Sequence, residues 1–222
     1  MLLNVALRGA MDRIRTAGGI GAGSLLAVVF GMAAPAWADP SCTTGSGLGF
    51  CMIYGSSVSA QAAADFTAVA QSFSNALINT SASPIDINVQ FGSVSGGDVS
   101  TSNTATNSVG SFANVVADLA PAEKSLGYVL PSIDPTGAGT WYMPQAEAKV
   151  LGVSLPNNAS ASDGTITFSS ATSFSYVVTV NSGQYSFQAA AAHEIEEVLG
   201  RTSTLNNNGA LAGVKFADTF DL

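Results

Sequence analysis

The sequence predicts an α+β fold for residues 39–222, and three observations carry that expectation. Phe66, Val69, Phe73 and Leu77 recur at three- and four-residue spacing, which is a helical period. Ile85, Ile87, Val89 and Phe91 alternate with Asp86, Asn88 and Gln90, the two-residue period of a half-buried strand. A second helical pattern, Phe187 to Leu199, follows two β-rich runs late in the chain.

Taken in order, Arg8, Arg13 and Arg15 precede an uncharged, mostly apolar stretch from Ala17 to Trp37, and Ala36-Trp37-Ala38 sets small residues before Asp39. This reads as a signal peptide, residues 1–38, cleaved after Ala38. The rival reading is an uncleaved anchor, because Gly18 to Trp37 approaches the ~20 residues that span hydrocarbon; its glycines and Pro35 weigh against it. Cys42 and Cys51 flank a Gly-rich stretch and read as a disulfide, since a metal site would need further Cys or His nearby. Ser59 is placed to cap a helix over 60–78, followed by the strand at 85–91. The Ser/Thr/Gly/Asn-rich stretch Gly92 to Asn107 has no period and reads as a long surface loop. A short helix is expected over Phe112 to Leu119, ended by Pro121, and another over Gln145 to Leu151, stopped by Gly152. Asp163-Gly164 turns the chain into Thr165 to Phe168, and a second β-rich run covers Phe174 to Val180. Asn181-Ser182-Gly183 breaks that run, and Gly200 stops the final helix.

No repeat or charged linker divides 39–222, so it reads as a single domain, long enough to bury a core. That part keeps Lys124, Lys149, Arg201 and Lys215 against 14 acidic groups, and the whole chain has a formal charge of −8. No Lys/Arg cluster offers a phosphate backbone a footprint, so no nucleic acid is expected as a partner. No later segment reaches transmembrane length, so the cleaved product is expected to be exported, whether secreted, periplasmic or at the cell surface, without stable membrane insertion.

Chemistry concentrates around the one histidine, His193, in His193-Glu194-Ile195-Glu196-Glu197-Val198-Leu199-Gly200-Arg201. At ~100° per residue His193 and Glu197 point the same way, Glu194 lies beside them, and Ile195, Val198 and Leu199 cover the opposite side. Ligands at i and i+4 of a helix can close on one metal ion, as in His-Glu-x-x-His peptidases, and zinc accepts carboxylate oxygen as well as imidazole nitrogen. His193 and Glu197 are then the metal ligands, and Glu194 the general base toward an activated water. The competing reading is a solvated face bearing Glu194, Glu196 and Glu197 beside a histidine that only hydrogen-bonds in the fold. Arg201 either neutralises the Glu cluster or meets the helix end. Tyr176 and Tyr185 are either oxyanion donors or half-buried packing.

This segment resembles the zincin metallopeptidases of the metzincin type, whose pattern is His-Glu-x-x-His-x-x-Gly-x-x-His/Asp. It is closer to a group of bacterial exported metalloprotease-like proteins whose helix reads His-Glu-Ile-x-Glu-Val-x-Gly-Arg, matched by His193 to Arg201. The runs Asp163 to Ser169 and Ala146 to Gly152 are similar to segments of that group, so the resemblance covers roughly 140–201. It implies a zincin-like mixed sheet packed on helices, with the active-site helix near the C-terminus. It also implies a secreted zinc endopeptidase acting on a peptide or protein substrate, with Thr165 to Ser169 as the edge strand lining the cleft. The metzincin third-ligand position falls on Ser203, and no Met follows Met143. Asp218 and Asp221 are therefore the candidates for a third ligand, against the alternative of an ordinary acidic tail. Members of the closer group run on past an Asp-Leu pair, so the resemblance also implies a chain continuing beyond Leu222. The other class of function is a non-catalytic secreted or surface protein on a degenerate zincin scaffold.

Overall fold

The structure, a computed structural model, describes residues 40–45, 47–77, 83–126, 129–135, 137, 139–153, 162–201 and 216–218. The expected signal peptide lies outside them. In chain order the elements are β1 (Ser41–Cys42), β2 (Phe50–Tyr54), α1 (Ala60–Ala76), β3 (Ile85–Gly92), β4 (Ser100–Thr104), β5 (Thr106–Gly110) and α2 (Phe112–Leu126). They continue with β6 (Thr140–Pro144), α3 (Gln145–Leu151), β7 (Gly164–Ser169), β8 (Phe174–Ser175), β9 (Tyr185–Ser186), α4 (Phe187–Val198) and β10 (Phe216–Asp218).

The main sheet is mixed, in the order β1-β2-β3-β7-β4. Its three central strands run parallel, and β1 and β4 are antiparallel to their neighbours. Residue alternation gives the sheet two unlike faces. Phe50, Met52, Tyr54, Ile85, Ile87, Val89, Ile166 and Phe168 are buried on one, while Asp86, Asn88, Gln90, Thr165 and Thr167 sit half-exposed between them. Helices α1 and α4 pack against each other over the apolar face and add Phe66, Phe73, Phe187 and Ile195 to the same core. Phe168 and Phe187 meet there with ring centroids 4.6 Å apart. Each such side chain contributes ~1.5–3 kcal/mol by leaving water, so this layer fixes the position of α4. A second, smaller cluster gathers Val115, Leu119, Trp141, Met143 and Ala148 around α2, α3 and the sheet β10-β6-β5. The fold is thus α+β, with a mixed sheet packed on helices and the His193 helix last of the four described.

Several elements follow the sequence closely. The Ala62 N–H donates to Ser59 Oγ at 3.1 Å, capping α1 as expected. Gly152 adopts φ +70° and stops α3 where the pattern placed the stop. Cys42 and Cys51 are bonded, and they stand directly opposite each other across the β1–β2 pair. Among the described residues no helix is long and apolar enough to cross a membrane.

Four expectations are corrected. The stretch Gly92 to Asn107 is not one long loop but holds β4 and the start of β5, hydroxyl-rich strands that pair through their backbones with β7 and β6. Helix α2 does not end at Pro121 but runs through it to Leu126; a proline removes one intrahelical bond, and burial of Val115 and Leu119 holds this helix against the second core. Only Phe174 and Ser175 of the run to Val180 form a strand. Finally, β7 is not an edge strand. It lies between β3 and β4, and the edge is β4.

Candidate metal centre

Helix α4 begins where Ser186 Oγ accepts from the Ala189 N–H at 3.2 Å. Its small residues Ala190 and Ala191 and the apolar Phe187, Ile195 and Val198 face the core. The helix end sits tight on the sheet: a Cβ on Gly164 of β7 would lie 2.6 Å from Val198 Cγ2, so only glycine permits this approach. At the C-terminus Gly200 takes φ +108°, its N–H bonds the Glu197 carbonyl at 3.0 Å, and the Arg201 N–H bonds the Glu196 carbonyl at 2.9 Å. That turn folds Arg201 back along the last turns of the helix.

The geometry brings His193, Glu194 and Glu197 together as the helical period requires. One ligand atom from each lies within 4.8 Å of the others. His193 Nε2 is 3.2 Å from Glu197 Oε1, and these two side chains are 54% and 30% exposed. Glu194 is 2% exposed. The three line a cavity of about 340 Å³ whose other wall is Asp98, Val99, Ser100 and Thr101, at the start of the edge strand.

That strand also holds the carboxylates. Ser100 Oγ donates to Glu194 Oε1 at 2.7 Å, Ser102 Oγ to Glu197 Oε2 at 2.7 Å, and Thr104 Oγ1 to the Glu197 carbonyl at 3.2 Å. The other oxygen of Glu194, Oε2, is buried and has no hydrogen-bond partner among the described residues. Burial pushes the Glu194 carboxyl above its ordinary range; the Ser100 hydroxyl opposes this, nearby Glu197 adds to it, and His193 counters it. An imidazole nitrogen and two carboxylates form a donor set that can hold a metal ion.

Other sequence candidates fall elsewhere. Glu196 is 1% exposed and ion-paired through Oε2 to Arg201 Nε at 2.7 Å. The solvated acidic face is therefore corrected: Glu194 and Glu196 are buried, because α4 packs on α1 on one side and beside β4 on another. Asp218 lies in β10, paired with Tyr142 of β6 in the second sheet; its side chain, and Asp221 entirely, lie outside the described residues. Tyr176 packs on Phe187 with centroids 5.0 Å apart, and Tyr185 is 56% exposed; neither lines the cavity. Sequence reasoning missed Ser100, Ser102 and Thr104. The signal was present as hydroxyls at every second position, a strand period written in polar residues.

No known protein family, curated protein or solved structure matches this chain.

Proposed function

We propose that this chain is an exported, zinc-dependent metallopeptidase of zincin-like build. The observation that carries the reading is the convergence of His193, Glu194 and Glu197 on one cavity. His193 and Glu197 would hold the metal, with Asp218 and Asp221 the candidates for a third ligand. When bound, the metal supplies the Lewis acidity that polarises a water and the scissile carbonyl. Glu194 would take a proton from the attacking water and deliver it to the leaving amine; burial raises its proton affinity toward that task. Ser100 and Ser102 fix the two carboxylates, so that little reorganisation is left for the reaction. Support for a peptide substrate comes from β4. Among the described residues this strand is paired on one side only, and its first residues wall the cavity, so an extended chain can add beside it by backbone hydrogen bonds.

Metal analysis of the purified protein tests this reading. It requires about one zinc per chain, lost in His193→Ala and in Glu197→Ala, as a ligand set of this kind demands. Glu194→Gln abolishes peptide hydrolysis while zinc occupancy stays near the wild-type level. A protein that folds and binds no metal is instead the non-catalytic member of a degenerate scaffold, and unchanged cleavage by Glu194→Gln removes Glu194 as the base.

A further inference from the structure

We infer that Arg201 competes with a metal ion for His193, an internal cation that opposes loading of the site. This inference rests on the metal reading above. The guanidinium forks between two partners: Nε lies 2.7 Å from Glu196 Oε2, and Nη2 lies 2.6 Å from His193 Nδ1. Arginine carries five N–H donors, no acceptor, and does not deprotonate in proteins. His193 Nδ1 therefore presents its lone pair to Arg201, and the proton of the neutral ring sits on Nε2. There it faces an acceptor, Glu197 Oε1, at 3.2 Å. Both ring nitrogens are thus engaged in a self-consistent pattern, acceptor on one side and donor on the other.

A metal ion requires a ring lone pair. Ligation through Nε2 sends the ring proton to Nδ1, where it would meet an Arg201 N–H head-on across 2.6 Å. Ligation through Nδ1 puts the ion where Nη2 now stands. By either route the Arg201–His193 contact breaks. Metal-binding histidines ordinarily donate their second N–H to a carboxylate, carbonyl or water, which raises their basicity. Here a cationic donor occupies that place and opposes loading.

The local chain explains both the hold and its release. Glu196 is buried, and the Gly200 turn pins the Arg201 backbone, so the Nε end of the guanidinium is held by its charge contact with Glu196. The outer arm is free to swing, because the side chains of Arg201 and His193 are 33% and 54% exposed. Arg201 is thus a positioning residue: it sets the tautomer of His193 and the ease with which the site fills.

The single histidine makes the test direct, since the chain has one pair of imidazole nitrogens. Long-range ¹⁵N–¹H correlation spectra of the metal-free protein report which nitrogen carries the proton, and the Nε2–H form is expected. Zinc affinity is then measured by competition with a chromophoric chelator for wild type, Arg201→Lys and Arg201→Gln, with circular dichroism confirming each fold. Lysine keeps one ammonium for Glu196 but lacks the fork, and glutamine offers a carbonyl oxygen to an Nδ1–H. Both variants are expected to bind zinc roughly 10-fold more tightly, the lower end of the range for outer partners of metal ligands. A proton on Nδ1 in the metal-free wild type overturns the proposal, as does zinc binding of equal strength in all three proteins. No zinc binding by any of them overturns the metal reading, and the competition with it.

Discussion

Ser100→Ala removes one oxygen atom and tests whether the edge strand holds the general base. Ser100 is 9% exposed and its hydroxyl donates to Glu194 Oε1 at 2.7 Å, inside the buried region between β4 and α4. The other Glu194 oxygen has no hydrogen-bond partner among the described residues, so the alanine variant takes the Ser100 donor from a carboxyl group on a residue that is 2% exposed. A hydrogen bond to a charged group is worth ~1.5–3 kcal/mol. For a domain of this size that lowers the melting temperature by roughly 2–4 °C per kcal/mol. Urea unfolding of the metal-free protein at neutral pH, followed by the fluorescence of buried Trp141, measures the difference. The sign of its pH dependence is fixed as well. The Ser100 bond favours ionised Glu194, so its loss raises that carboxyl further; the gap between wild type and variant is full above the variant's folded pKa and is lost as pH falls through the wild-type one. A variant within about 0.5 kcal/mol of wild type at neutral pH, the range of an ordinary surface change, refutes the reasoning, and so does a gap that is constant with pH.

Three further perturbations probe the frame. Because burial raises the folded pKa of Glu194, its contribution to stability is present at low pH and is lost as pH rises through that value; Glu194→Gln removes this dependence and melts higher than metal-free wild type at neutral pH. Lys149 Nζ bonds Asp163 Oδ2 at 2.7 Å and Asp86 Oδ2 at 3.0 Å, and Asp163 is fully buried, so Lys149→Met costs ~3–5 kcal/mol at neutral pH by urea unfolding. Adding Asp163→Asn recovers part of that loss, whereas a further loss contradicts the charge argument. Gly164→Ala drives a methyl to 2.6 Å from Val198 Cγ2 and costs ~1–3 kcal/mol, part of which Val198→Ala restores in the double variant.

Elements with an apolar period were legible in the sequence: α1 from Phe66 and Phe73, β3 from Ile85 to Phe91, and α4 from Phe187 to Val198. In each the buried face repeats at a fixed interval, which local spacing records. Strand β4 was not legible because Ser100 and Ser102 are hydroxyls that serve the Glu carboxylates, so its hydrophobic signal is absent while its backbone pairs along its whole length with β7. The place of β7 was misjudged for another reason. Whether Thr165 to Ser169 lies at an edge or in the middle depends on which distant strand pairs beside it, and that partner is β4. The triad itself was legible because a single helical turn encodes it.

The burial of α4's acidic residues bears on why the site exists. Glu194 and Glu196 are 2% and 1% exposed on a helix whose remaining buried positions are apolar or Ala. Well-packed hydrophobic residues in place of buried ionic groups are often neutral or stabilising, so fold stability alone does not call for carboxylates at these positions. Each is nevertheless supplied with a dedicated partner from another part of the chain, Ser100 for Glu194 and Arg201 for Glu196. The partners are unlike in charge. The neutral hydroxyl leaves Glu194 a proton acceptor with one oxygen to spare, whereas the guanidinium neutralises Glu196 and reaches on to His193. Two adjacent acidic groups are thereby put to opposite uses, one kept reactive toward the cavity and one spent anchoring the arginine that guards it. A local rule broken twice within three residues, with each breach compensated by a different device, is the pattern expected where function rather than packing selects the side chain.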